Sequence, residues 1–196
     1  MARWSRQIPA GQVYHGLTSL VDIAPTMLDV ANIPVPSDMQ GSSLVQQIEN
    51  PSAHGRQYIF AEKNWHDLDD HSRAVRDNRY KYIRNAFPEK PLPTAADCAR
   101  SLTFQKMREM RDAGTLSENA MLLFRSPRPV EELYDLQYDP VEFHNLAGDP
   151  AYENTLSRLR NRLDHWIEQT NDVPPSKSLP DEFDPETGER IRPSRQ

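Results

Sequence analysis

Apolar and polar positions alternate in three short stretches of the chain and recur at helical spacing in several others. Within residues 57 to 85, QYIFAEKNWHDLDDHSRAVRDNRYKYIRN, two apolar-aromatic runs, Tyr58 to Ala61 and Ala74 to Ile83, predict strands, and Glu132 to Leu136 predicts a third. The second run folds back at Asp77-Asn78, both tolerant of positive φ. A two-residue turn is therefore expected, with Arg76 opposite Arg79, Val75 opposite Tyr80 and Ala74 opposite Lys81. That register puts Arg73, Val75, Tyr80, Tyr82 and Arg84 on one face and Ala74, Arg76, Arg79, Lys81 and Ile83 on the other. One face is aromatic and the other mostly basic.

The strongest helical period runs from Pro150 to Thr170. Tyr152, Leu156, Leu159, Leu163, Trp166 and Ile167 form its apolar stripe, with Arg158, Arg160, Arg162 and Asp164 expected to face outward, and Asp149-Pro150 supplies a cap and a first-turn proline. Such a stripe needs an apolar surface to cover. The three strands are the one available, so a small antiparallel sheet under a long C-terminal helix is expected. Shorter helices are predicted from Ile23 to Ala31, capped by Asp22 and stopped at Asn32, and from Ser42 to Glu49. Two more start at Ser101, with a Phe104, Met107 and Met110 stripe ending at Gly114, and at Ser117 over ENAMLLF. Their methionine and leucine positions read as core packing. Near the start, Ala2 to Trp4 reads as the end of a strand, Ile8 to Gly11 as a turn and Leu17 to Val21 as a buried segment. Order from the outset implies that polypeptide preceded it.

Composition narrows the picture. Of 196 residues only 37% are apolar and 17 are proline, which suggests a modest core with long irregular connections. A net charge of −6 argues against general nucleic-acid binding, which needs a basic surface. No run approaches the roughly 18 apolar residues that span a bilayer, and the N-terminus has no signal-like apolar segment. A single cysteine, Cys98, excludes an internal disulfide. The segment after Asn171, rich in proline and charge, is expected to be a tail, ordered only where it lies on the body.

Candidate chemistry concentrates between the first two strands. Glu62, Lys63, His66, Asp67, Asp69, Asp70 and His71 fall within ten residues, more ionisable groups than a connector requires. Asp69 and Asp70 read as exposed acids that cap turns. Glu62, His66, Asp67 and His71 offer a zinc set of uncommon spacing. The hairpin cations Arg73, Arg76, Arg79, Lys81 and Arg84 offer a docking surface for a sulfated glycan or nucleic acid, as in a non-catalytic glycan-binding or remnant protein, against the plainer reading of a solubilising strand face.

Three passages in this order, TSLVDIAPTMLDVANIPVP with MQGSSL, RAVRDNRYKYIRN and EELYDLQYDPVEFHNLAGDP, resemble the C-terminal part of type I sulfatases. A segment similar to SLTFQKMREM makes the N-sulfoglucosamine sulfohydrolase branch the best match, over roughly Arg3 to Thr170. The resemblance implies an α/β fold of the alkaline phosphatase type, of which this chain is an α+β portion. Residues 1–50 would be the last elements of the large domain, 51–172 the C-terminal subdomain and 173–196 the tail. It also implies a sulfated carbohydrate as substrate, a missing N-terminal domain as partner, no nucleic acid or membrane, and a periplasmic, secreted or lysosomal setting for full-length relatives.

The loop AEKNWHDLDDH would approach the pocket mouth. There His66 would hydrogen-bond sugar hydroxyls or sulfate, Glu62 and Asp67 would bind hydroxyls, and Arg73 would face an anion. Such sulfatases use a formylglycine made in a C/S-x-P-S-R sequence and a calcium ion. This chain has neither that sequence nor the paired aspartates at the expected point: Cys98 sits in CARSL and Ser126 in SPRP. No catalytic residue and no metal ligand are assigned, both groups are expected in the full-length parent, and the chain alone is expected not to turn over.

Overall fold

The computed structural model describes residues 3–4, 8 and 10–192. It divides into two units, residues 1–59 and 60–196. In the first, α1 (Ile23–Val30) and α2 (Val45–Glu49) are tied together through one carboxylate. Asp22 is fully buried and accepts from the Ser19 and Ser42 amides, each at 2.9 Å, and from the Arg56 guanidinium. The sequence predicts a cap at this residue, but its side chain makes no cap bond to α1. A cation and two amides brought from other segments take its oxygens instead. The same bonding delays α2 to Val45, because the Ser42 amide goes to Asp22 and the Leu44 amide to Thr26 Oγ1 at 2.9 Å. Asn32 ends α1 in the left-handed region, φ +56°, as its composition suggests.

The expected buried segment near the start is only partly realised: Leu17 is buried, whereas Leu20 and Val21 are exposed. The proposed strand end and turn before it include Ala2 and Pro9, which lie outside the described residues; Ala10 and Gly11 do form a turn, Gly11 at φ +79°.

In the second unit β1 (Ile59–Lys63), β2 (Ser72–Arg76), β3 (Tyr80–Asn85) and β4 (Glu131–Asp135) form a sheet in sequence order, with β3 antiparallel to β2 and β4. The hairpin register differs from the predicted one: Arg76 lies opposite Lys81, Val75 opposite Tyr82 and Ala74 opposite Ile83. Asp77 widens the turn, since its Oδ1 accepts from the amides of Arg79 (2.8 Å) and Tyr80 (2.6 Å). The shift is two residues and the side-chain period is two, so the two predicted faces survive it.

The long helix α6 (Glu153–Thr170) packs on β2 and β3. Val75, Tyr82 and Leu133 of the sheet and Leu159 and Leu163 of the helix are fully buried, and Trp166 stacks on Phe60 with ring centroids 5.1 Å apart. Asp149 caps the helix entry through the Ala151 amide at 2.9 Å. Arg160 and Asp164 do not point away as predicted. They lie along the helix flanks and pair with Glu131 and Arg84 of the sheet, at 2.8 and 2.6 Å. Long side chains at a helix edge reach back to the surface that the helix covers.

Between β3 and β4 lie α3 (Ala96–Ala99), α4 (Leu102–Asp112) and α5 (Glu118–Met121), the last two capped by Ser101 and Ser117. Residues 173–192 lie on this unit: Phe183 bridges Arg190, Arg111 pairs with Glu186, and Gly188 packs so close that a Cβ would sit 2.3 Å from the Ala96 carbonyl. Among the described residues no helix is long and apolar enough to cross a membrane.

Candidate functional site

The loop between β1 and β2 carries its acids as anchors. Asp70 is buried; its Oδ1 accepts from the His71 amide (2.9 Å), Ser72 Oγ (3.2 Å) and Arg128 Nη2 (2.8 Å). Asp69, also buried, donates its amide to Asp181 Oδ1 at 2.7 Å and accepts the Leu179 amide at 2.5 Å. Lys90 closes that clasp, 3.0 Å from Asp181. Both aspartates therefore differ from the exposed turn caps that the sequence predicts, because the proline-rich tail and Arg128 come from far along the chain to cover them.

Asp67 holds the loop from the other side, its Oδ2 accepting the amide of Ala96 at the start of α3, 2.7 Å away. The clasped loop forms one wall of a cavity of about 290 Å³, made by Lys63, His66, Asp67 and Leu68, and Pro93 to Ala95 form the facing wall. His66 projects with its side chain 79% exposed and its Nδ1 3.3 Å from Asp67 Oδ2. Lys63 places a cation at the cavity edge, donating to the Pro93 carbonyl (3.3 Å) and lying 3.5 Å from Asp70.

His66 and Asp67 are thus brought together, while Glu62 and Arg73 form a separate pair that does not line the cavity. Successive strand residues point to opposite faces, so Lys63 turns toward the cavity and Glu62 away from it. Arg73 is 4% exposed, its fork taken by Asp172, with Nη2 2.7 Å from Oδ1, and Glu62 stands 3.7 Å from it. The Arg73 bond holds the Asp172 carboxyl below the usual carboxylate range. Sequence reasoning missed three contributors: Lys63 as a wall residue, the 93–95 wall, and the tail as a clasp. The tail's aspartates were visible, but nothing local says which loop they meet.

His71 is 8% exposed and its Nε2 has no hydrogen-bond partner among the described residues. Burial lowers its pKa first and Arg73 adds to that, against the pull of Asp172, Asp70 and Glu62. In the unfolded chain this imidazole protonates near its ordinary value of 6.5, and in the folded chain only at lower pH. Between those values the unfolded state binds more protons, so stability falls as pH drops. Thermal melts should show Tm declining below about pH 6.5, and His71→Leu should flatten that part of the profile. An unchanged slope would remove His71 as the source.

The zinc reading does not survive. His66 is exposed at the cavity and His71 buried behind it, and among the described residues no group of three or more His, Cys, Asp or Glu is arranged to hold a metal ion. Among the described residues no group of carboxylates fits a calcium ion either. The basic hairpin is likewise mostly neutralised: Arg79 pairs with Asp135 (2.7 Å), Lys81 with Glu142 (2.6 Å), Arg84 with Asp164 (2.6 Å) and Arg73 with Asp172. These acids come from β4, the loop after it, α6 and the residues beyond α6, too distant in sequence to be matched to the cations beforehand.

Residues 1–90 match the family described as N-sulphoglucosamine sulphohydrolase, C-terminal. An ulvan-active sulfatase of Formosa agariphila is 39% identical over 158 residues, covering 80% of this chain and 26% of that protein. The human N-sulphoglucosamine sulphohydrolase is 30% identical over 174 residues, covering 83% of this chain and 34% of that protein. A solved structure described as a 2-O GAG sulfatase aligns with a TM-score of 0.57 at 25% identity, over 92% of this chain and 32% of that one. The chain thus spans about a quarter to a third of the length of these relatives. The small antiparallel sheet and long helix are those of the alkaline-phosphatase-like sulfatase fold. The chain belongs to the type I sulfatases, where it corresponds to the C-terminal part of the N-sulphoglucosamine sulphohydrolase type.

Proposed function

We propose that this chain supplies the pocket rim of an enzyme that hydrolyses sulfate, N- or O-linked, from a sulfated sugar. The observation that carries the reading is the clasped loop: His66, Asp67 and Lys63 at one cavity, held by Ala96 on one side and by the tail on the other. A proton on His66 Nδ1 toward Asp67 leaves Nε2 to accept from a sugar hydroxyl, and Lys63 offers charge to a sulfate oxygen. Glu62, with its side chain 59% exposed, turns away from this cavity beside Arg73, so it and Arg73 are given no contact with the sugar held at the rim. The names of the relatives, which act on ulvan, N-sulphoglucosamine or a GAG, support a sulfated carbohydrate as ligand.

Residues 1–50 in this reading are the final elements of the large domain. The α1 stripe supports it, since Ile23 and Met27 are 53% and 67% exposed and present an apolar face for the rest of that domain to cover. The formylglycine and the calcium ion belong to that larger portion, and no step of the reaction is assigned to residues of this chain.

The test is binding. Titration of the chain with a heparin-derived disaccharide carrying N- and O-sulfates should give measurable affinity, and His66→Ala should weaken it about tenfold or more, the scale of a hydrogen bond to a charged group. Equal affinity in the variant would overturn the role given to the rim.

A further inference from the structure

We propose that the larger cavity beside the rim is a second saccharide subsite, occupied by the next ring of a sulfated oligosaccharide whose end sits at His66; this rests on the rim reading above. The cavity measures about 730 Å³, within the roughly 300–1,000 Å³ usual for small-molecule sites. Leu92 lines it, and the next residue, Pro93, lines the smaller cavity. Consecutive Cα atoms are about 3.8 Å apart, so residues of the two cavities approach within the length of one sugar ring.

The lining fits a sugar ring. Leu122, Leu123 and Phe143 are 37%, 36% and 40% exposed and give an apolar wall for the C–H face of a pyranose. Most charges there are already engaged: Glu142 with Lys81, Glu132 with Asn85 and Tyr134, Arg128 with Asp70. Arg125 lines the cavity without an ion-pair partner among the described residues, which leaves one cation for one anionic substituent, a sulfate or a uronate carboxylate. A wholly apolar ligand would strand Arg125, and a polyphosphate would meet the two glutamates.

The wall is also fixed in place. Asn145 binds the Leu133 amide (2.9 Å) and the Glu131 carbonyl (3.0 Å), and Glu142 is held at φ +61° with its carboxylate on Lys81 at 2.6 Å. A glutamate kept in the left-handed region by such contacts is the kind of local strain that collects at binding loops.

The experiment compares a heparin-derived disaccharide with the corresponding tetrasaccharide on the whole chain and on Phe143→Ala, Arg125→Ala and His66→Ala, with melting curves to confirm folding. The expected result is tighter binding of the tetrasaccharide, with the gain lost by about tenfold in Phe143→Ala or Arg125→Ala while disaccharide affinity is unchanged. If both sugars bind equally and only His66→Ala matters, the subsite is overturned and the rim stands. If His66→Ala has no effect but the other two do, the rim reading fails and the larger cavity remains a saccharide site. If no variant changes either affinity, both are overturned.

Discussion

Arg128→Ala is expected to destabilise the second unit by about 3–5 kcal/mol, as when one partner of a buried ion pair is removed. Arg128 and Asp70 have side chains 5% and 0% exposed, with Nη2 2.8 Å from Oδ1. Arg128 also donates to the carbonyls of Lys90 (3.1 Å) and Phe87 (3.3 Å), so its loss leaves a buried carboxylate and two carbonyls short of a donor. Lys63, 3.5 Å from the other Asp70 oxygen and half-exposed, is too far and too wet to compensate. The double variant Arg128→Met with Asp70→Asn should lose much less than Arg128→Ala, because it leaves no unpaired charge. Urea unfolding measures both, and equal losses would show that the pair is not the cause.

Leu159→Ala should cost about 2–5 kcal/mol, the range for truncating a fully buried leucine. Leu159 is 0% exposed on the face of α6, which packs on β2 and β3, and Val75 and Tyr82 of those strands are also 0% exposed, so little can collapse into the space it vacates. Tyr82→Phe makes the contrast. The phenol, its pKa pushed up to about 12 by burial and then by its bond to Glu131, donates to Glu131 and accepts from Arg84 Nε (3.2 Å), and the variant loses these two bonds but no apolar packing. Glu131 keeps the Arg160 fork at 2.8 Å on both oxygens. A loss near 1 kcal/mol is expected there. Since whole domains are stable by only about 5–15 kcal/mol, the leucine variant should approach the limit of folding, and the tyrosine variant should not.

The elements most legible in the sequence are those whose cause is local. The α6 stripe, the Ser101 and Ser117 caps, the Asn32 stop and the two hairpin faces follow from periods and from residue types that act within a few positions. What escaped depends on partners far along the chain. Asp22 looks like a cap until Arg56 and Ser42 arrive, and Asp69 and Asp70 look solvated until Leu179, Asp181 and Arg128 cover them. Arg73, which the sequence offers to an outside anion, is met by Asp172, 99 positions away.

The same limit governs the site. That chemistry would collect between β1 and β2 is visible from composition. That His66 and Asp67 share a cavity while Glu62 turns away is set by the strand's alternation and by the Ala96 amide, and it becomes visible only in three dimensions.

The most direct test of the rim is a titration of isotope-labelled chain with a heparin-derived disaccharide, following backbone amide signals by NMR. The account requires the largest shifts at residues 63–68 and 93–95. Shifts confined to the hairpin around Arg76, or none at saturating sugar, would contradict it.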